Sequence, residues 1–367
     1  MDTAFPTKIE VMERVLTFET DIILHEQIRD AVEKLDDIRT RSKVPEIESA
    51  KGRGLLVVGD SGAGKTTVVE EFLLSAGYQK DPVAGEDGDR MPILHIDMPS
   101  SPTRRQVVKA IMNELGYPVR DEWNTAHILD QISYLCEQMG VEIIVIDEAH
   151  HIMDAKGDGE EEISEFLKSL LNACKCQFAL FGLPTLLRLR GYAQLKRRFQ
   201  PPVVLVPYHW DMTSGRSEFL AVLDEFETGM DLPEPSNLSE QWNALRLYCA
   251  TGGHIGLVSK YLSEAYRRAL TEGLPCIDME LLAEVYDDFE RGTEQAPVSK
   301  DYLADPIDDA RMIDAATNPF LADRESFDKL WEIMSSKRVT MGLMSKPRKV
   351  EKTRFKGTAK AVRAFKE

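Results

Sequence analysis

Between an apolar run, Leu55-Leu56-Val57-Val58, and a helical stretch, Thr67 to Leu74, the chain reads Gly59-Asp60-Ser61-Gly62-Ala63-Gly64-Lys65-Thr66. This is a complete G-x-x-x-x-G-K-[ST] phosphate loop in the strand–loop–helix context that its mechanism needs. The glycines let successive backbone N–H groups turn toward a β-phosphate, and the helix N-terminus adds partial positive charge. Lys65 is expected to reach the β- and γ-phosphates and the Thr66 hydroxyl to ligate Mg²⁺, with residues 59 to 67, Thr67 included, forming the cradle. A chance match in a glycine-rich turn would not bring strand, loop and helix into register. The expectation is a nucleoside-triphosphate-binding α/β fold.

A second segment completes the pattern. Val141-Glu142-Ile143-Ile144-Val145-Ile146-Asp147-Glu148 is an apolar run ending in two carboxylates. A continuous Ile/Val run suits a parallel strand covered on both faces. Asp147 is expected to hold Mg²⁺, and Glu148 to polarise the water that attacks the γ-phosphorus; positioning and charge neutralisation supply most of the catalysis in such sites. Alone, the segment also reads as a strand capped by a solvated acidic turn, but the phosphate loop makes hydrolysis the better reading.

At 367 residues, with 43% hydrophobic and 29% charged residues, the chain has room for a nucleotide-binding domain, a smaller domain and tails. No apolar run approaches the roughly 18–20 residues of a membrane span, and Met1 to Pro6 lacks the pattern of a secretory signal. The five cysteines, Cys136, Cys174, Cys176, Cys249 and Cys276, lie mostly in apolar-periodic segments. Cys174-Lys175-Cys176 suggests half of a metal site, but neither a second pair nor a nearby histidine completes it; buried reduced thiols in a cytoplasmic protein are expected. The net charge of -17 is uneven: Lys337 to Glu367 holds 11 Lys and Arg against 2 acidic residues, leaving a strongly acidic body.

The apolar patterning divides the chain into a helical lead-in (1–50), an α/β core (51–210), a small all-α domain (211–290) and an irregular extension with a basic tail (291–367). Further core strands are expected at Ile93 to Ile96, Phe178 to Phe181 and Val203 to Val206. Helices are expected near Thr103 to Leu115, Thr125 to Met139 and Ile163 to Ala173, which alternate with the strands as in a parallel sheet sandwiched by helices. Gln79 to Asp89 reads as a polar loop. Ser217 to Phe226, Leu238 to Ala250 and Ile255 to Leu270 read as helices of the second domain, with a turn at Thr251-Gly252-Gly253.

An α/β core followed by a helical lid is the layout of AAA+ ATPases, and Leu195-Lys196-Arg197-Arg198-Phe199-Gln200-Pro201-Pro202-Val203 resembles that class's arginine-finger box. An arginine there would neutralise charge at a neighbouring subunit's γ-phosphate, making hydrolysis depend on assembly; of Arg197 and Arg198, Arg198 is favoured. A basic surface turn is the bland alternative. Within the class, the chain resembles the TniB/TnsC transposition regulators. The resemblance rests on Phe5-Pro6-Thr7, Pro99-Ser100-Ser101-Pro102-Thr103, Leu115-Gly116-Tyr117-Pro118, Asp147-Glu148-Ala149-His150-His151, Phe181-Gly182-Leu183-Pro184-Thr185 and Gly252-Gly253-His254-Ile255-Gly256, and covers roughly residues 5–275. It implies ATP and Mg²⁺ as ligands and self-assembly into rings or filaments on double-stranded DNA without sequence preference. It also implies a link between a target-selection protein of the TniQ/TnsD type and a transposase, with hydrolysis driving disassembly. By the same resemblance Arg104, Arg105 and Lys109 would neutralise DNA phosphates, with Ser101 and Thr103 donating hydrogen bonds; a helix cap with a solvated basic face is the equal alternative.

Two departures are visible. No arginine follows the Gly252-Gly253 turn until Arg267, and the strand ending Phe181-Gly182 lacks the usual polar sensor, for which Thr185 is a substitute. Both suggest slow hydrolysis. Asn318-Pro319-Phe320-Leu321 with Phe327, Leu330, Trp331 and Ile333 suits a segment that folds onto a partner, and Lys346 to Arg363 suits DNA, an acidic surface or plain solubilisation. Competing readings are a DEAH-type helicase, from Asp147-Glu148-Ala149-His150, another AAA+ loader or initiator, and a module that binds ATP without hydrolysing it.

Overall fold

A computed structural model describes residues 6–20, 25–43, 52–85, 88–154, 160–210, 213–295 and 318–321. The basic tail and the apolar positions from Phe327 to Ile333 lie outside these residues. The described residues form two compact units, divided between Ile277 and Asp278.

In the first unit a five-stranded parallel sheet carries the core. Its strands are β1 (Gly54–Gly59), β4 (Ile93–Asp97), β5 (Ile143–Asp147), β6 (Gln177–Gly182) and β7 (Val203–Leu205), in the order β4-β5-β6-β1-β7. The unbroken apolar runs are explained by the two-residue period of a strand. Leu55, Val57, Ile143, Val145, Ala179 and Phe181 face one layer with α2 (Glu26–Thr40) and α3 (Lys65–Ser75). Leu56, Val58, Ile144, Ile146, Phe178 and Leu180 face the other, with α4 (Arg104–Glu114), α5 (Thr125–Gln138) and α6 (Glu160–Ala173). At the sheet edge the Gln27 side-chain amide accepts from Val206 N at 3.1 Å and donates to Val206 O at 3.2 Å, extending β7 without another strand.

Where the sequence suggests only a polar loop, β2 (Val83–Gly85) and β3 (Gly88–Arg90) form a small antiparallel ladder. All six residues are exposed, so no apolar alternation announces them. After β6, a 3-10 stretch (Pro184–Gly191) and the one-turn α7 (Ala193–Lys196) lead into β7.

Helices α8 (Thr213–Gly229), α9 (Gln241–Thr251) and α10 (Ile255–Glu272) follow. The first helix, α1 (Lys8–Thr20), packs against them rather than against the sheet. Phe18 lies 5.5 Å from Tyr266 and 5.8 Å from Phe226, ring centre to ring centre, and Ser263 donates to Glu19. The second unit contains α11 (Met279–Gln295) and the turn at residues 318–321. There Asn318 Nδ2 donates to Ala283 O at 2.8 Å and to Asp287 at 2.9 Å, and the Phe320 ring packs edge-on against Tyr286. Phe320 is therefore buried against its own chain, not presented as an anchor for a partner.

Candidate functional site

The strand β1 is buried throughout and delivers the chain at Gly59 into the loop 60–64. Gly62 (φ +74°) and Gly64 (φ +89°) take left-handed conformations that residues with a Cβ rarely adopt. Gly64 caps α3, and the gap above it is narrow: a Cβ there would lie 3.2 Å from Ile28 Cδ1 of α2. Among the described residues no hydrogen bond engages the backbone N–H of Ser61, Gly62 or Gly64. A set of free amides at a helix N-terminus is the donor chemistry that a phosphate chain requires. Lys65, 8% exposed, donates from Nζ to Gly59 O at 2.9 Å and Asp60 O at 2.8 Å. Burial lowers its pKa, against the carboxylates of Glu148, Asp147 and Asp60, which favour the ammonium. Thr66 and Thr67 stand in the first turn of α3, Thr66 exposed.

Asp147 ends β5, two strands from β1, and its register partner on β4 is Asp97. Burial raises the Asp147 pKa, helped by the charges of Glu148 and Asp97, while the Glu148 N–H, donating to Oδ1 at 2.7 Å, works the other way. Ligand atoms of His95, Asp97 and Asp147 lie within 4.8 Å of one another. Carboxylate oxygens gathered this closely, one of them on the buried Asp147, fit a hard cation such as Mg²⁺. Glu148 adopts φ +50°, a strained value for a non-glycine residue. The side chain is half exposed, and Oε2 lies 3.1 Å from Nδ1 of the largely buried His150.

The end of β6 explains one departure from the AAA+ pattern. A Cβ on Gly182 would stand 3.0 Å from His150 N and 3.1 Å from its Nδ1. The space beside the strand end is thus taken by the imidazole of His150, which the motifs include but to which they give no role. The turn before α10 is held by close backbone contacts. Gly256 N donates to Gly62 O at 3.0 Å, and a Cβ on Gly256 would lie 2.5 Å from that oxygen. Gly253 O accepts from Tyr208 N at 3.0 Å, and a Cβ on Gly253 would collide with Tyr208 O. The two glycines let the first turn of α10 lie directly on the phosphate loop. Arg267 is held on α10 by Glu264, at 2.7 Å.

Arg197 and Arg198 stand elsewhere. Gly54 N donates to Arg198 O at 3.0 Å, which puts the arginine turn at the start of β1, whereas the phosphate loop follows its end. The intervening strand is about 17 Å long at about 3.3 Å per residue, farther than an arginine side chain extends. Arg198 donates to Asn172 Oδ1 at 2.6 Å, while Arg197 is exposed with no side-chain bond among the described residues.

On α4, Thr103 is the N-cap in a reciprocal capping box with Gln106. The Arg105 guanidinium is occupied by the carbonyls of Trp123, Arg120 and Asp121, and so ties α4 to the connection before α5. Arg104 lies 3.9 Å from Glu162, Lys109 is exposed, and Ser101 has φ +46°. No helix among the described residues is long and apolar enough to cross a membrane.

The family described as "Bacterial TniB protein" matches residues 15–209. No curated protein matches the sequence. Among solved structures, the Aeropyrum pernix ORC2 protein, solved as ADPNP-ADP complexes, is similar at 14% identity, covering 89% of each chain with a TM-score of 0.55. Cdc6p from Pyrobaculum aerophilum is similar at 13% identity, again covering 89% of each, with a TM-score of 0.53. The Aeropyrum pernix ORC1 protein, solved in complex with DNA, is similar at 14% identity over 89% of this chain and 87% of that one, with a TM-score of 0.51. At such identities the likeness speaks for the fold alone. With the family match spanning phosphate loop, acidic strand and arginine turn, the chain belongs to the TniB family and has the AAA+ ATPase fold.

Proposed function

We propose that this chain is an ATP-switched regulator of DNA transposition. In its ATP state it assembles with copies of itself on double-stranded DNA of any sequence and links a target-selection protein of the TniQ/TnsD type to the transposase. Hydrolysis then takes the assembly apart. The observation that carries this reading is the pairing of the TniB match with a site holding both Lys65 and Glu148.

The amides of the 60–64 loop and Lys65 would bind and orient the phosphates. Thr66 and Asp147 would hold Mg²⁺, with Asp97 close by. The ion, when bound, offsets the charge of the β- and γ-phosphates. Glu148 would accept the proton of the attacking water, and His150, 3.1 Å from its carboxylate, would set its position. Of the two arginines, Arg197 is the better candidate to act on a neighbouring subunit, because Arg198 already holds Asn172. Their place at the opposite end of β1 supports action between subunits rather than on the chain's own site.

For DNA, Lys109 and Arg104 would meet phosphates, with Ser101 and Thr103 at the helix start, while Arg105 supports their scaffold. The organisation we propose is a lead-in to about residue 50, a core to about 210, a lid to about 290, and a basic extension. A single five-stranded parallel sheet among the described residues argues against a two-lobed helicase. The likeness to initiator proteins keeps a loader or initiator as the alternative reading.

The test is Lys65→Ala. The variant should lose nucleotide binding and, with it, assembly on DNA seen by sedimentation or imaging. ATP-dependent assembly by a folded Lys65→Ala protein would refute the switch.

A further inference from the structure

Beyond the nucleotide site, the fold brings one distant thiol, Cys136, to the pair Cys174 and Cys176. Cys136 lies in the last turn of α5, Cys174 just after α6, and Cys176 just before β6. Their Sγ atoms all lie within 4.8 Å of one another. All three are reduced and buried, each no more than 3% exposed. Sequence reading found only the Cys174-Lys175-Cys176 half, because Cys136 is supplied by another helix.

We propose that Cys136, Cys174 and Cys176 form a three-sulfur binding site for a soft, thiophilic cation, with zinc(II) as the ordinary occupant. Three sulfurs at about 2.3 Å from one zinc ion stand about 4 Å apart, so each needs to shift by less than about 1 Å. Soft thiolates select such ions over hard ones, which separates this site from the oxygen-lined one at Asp147. Free cysteines do pack as small hydrophobes, but packing alone does not require three sulfurs from three chain positions to touch.

The surrounding backbone is pinned in place. Ser133 Oγ donates to Ala173 O at 2.6 Å, and Lys175 Nζ to Glu137 Oε1 at 3.0 Å, so α5 is joined to the cysteine loop on both sides of Cys136. Gly52 N donates to Cys174 O at 3.3 Å, and a Cβ on Gly52 would lie 2.6 Å from Cys176 O. The chain therefore closes tightly over the cluster. Hydrogen bonds from the Cys136 and Cys176 thiols hold the Cys174 thiol well below its usual range, while the same contacts push Cys136 and Cys176 up. A divalent ion bound by all three releases thiol protons to solvent, so affinity rises with pH. The ion would lock together the ends of α5 and α6 and the start of β6. That is the region where Asn172 holds Arg198.

The test uses the full chain, purified under reductant, stripped by chelator and titrated with cadmium(II) as probe. The thiolate-to-cadmium ultraviolet absorption should rise and saturate at one ion per chain, and zinc(II) should compete for the same site and raise Tm. The triple variant C136S/C174S/C176S should lose the absorption, and C249S/C276S should keep it. If the triple variant does not fold, X-ray absorption at the zinc edge of the wild-type protein decides, with a first shell of three sulfurs expected. No absorption in the wild type, absorption surviving in a folded triple variant, loss in C249S/C276S, or a first shell of nitrogen and oxygen would each overturn the proposal.

Discussion

The Glu148 carboxylate lies 3.1 Å from Nδ1 of His150, and the two residues flank Ala149, the first residue of a 3-10 turn beyond β5. Glu148 is held there in a left-handed backbone conformation, and Gly182 leaves room for the imidazole. Under the proposed function the two would act as one unit, with His150 setting where the carboxylate points. Glu148→Gln should lower ATP turnover by about 10²-fold or more while nucleotide binding persists. His150→Ala should lower it too, but less, and without a change in nucleotide affinity. Steady-state turnover with nucleotide-binding measurements checks both; full turnover in either variant would remove that residue from the unit.

The contact between Gly256 and Gly62 makes a second prediction. Gly256→Ala forces a methyl to within 2.5 Å of the Gly62 carbonyl. Overpacking of this kind costs about 1–3 kcal/mol. The variant should bind nucleotide more weakly, because the loop and α10 must separate. Gly253→Ala should be worse for stability, since its φ of +82° adds backbone strain to the collision with Tyr208. Thermal unfolding with and without nucleotide distinguishes the two effects.

Arg197→Ala should keep nucleotide binding and lose the extra turnover that assembly on DNA provides. Arg198→Ala should mainly cost the bond to Asn172, about 0.5–1.5 kcal/mol of stability. Turnover measured with and without DNA sorts the two residues, and the opposite ranking would make Arg198 the finger.

His25 carries the pH dependence. Buried at the start of α2, it shares a 2.8 Å hydrogen bond with Tyr208. Burial, helped by the charge of Arg29, lowers its pKa from 6.5 to about 4. The folded state thus favours the neutral ring. Its stabilisation is complete above about pH 6.5 and is lost as pH falls from there through about 4, a loss on the order of 3 kcal/mol. Urea midpoints should fall over that window in the wild type and fall less in His25→Gln.

The strands were legible because each is rich in apolar residues, and β1 and β5, buried on both faces, are almost wholly so. The β2–β3 ladder was not, because it is exposed on both faces and carries no periodic signal. The phosphate loop and the acidic strand end are local motifs, and their residue types announce themselves. Contacts between distant segments leave no such mark. Nothing in Cys136 points to Cys174, or in Gly256 to Gly62, and the amphipathic pattern of α1 does not say that its partner is α10. Arg105 shows the converse: a basic residue in a basic stretch is drawn inward by three carbonyls that only the fold assembles.

The central claim is that ATP, and not charge alone, puts this protein on DNA. The most direct measurement is binding of the full chain to a random-sequence duplex with a non-hydrolysable ATP analogue, with ADP, and without nucleotide. Tight, cooperative, sequence-independent binding with the analogue only is the predicted result. Equal binding in all three conditions, or none in any, would contradict it.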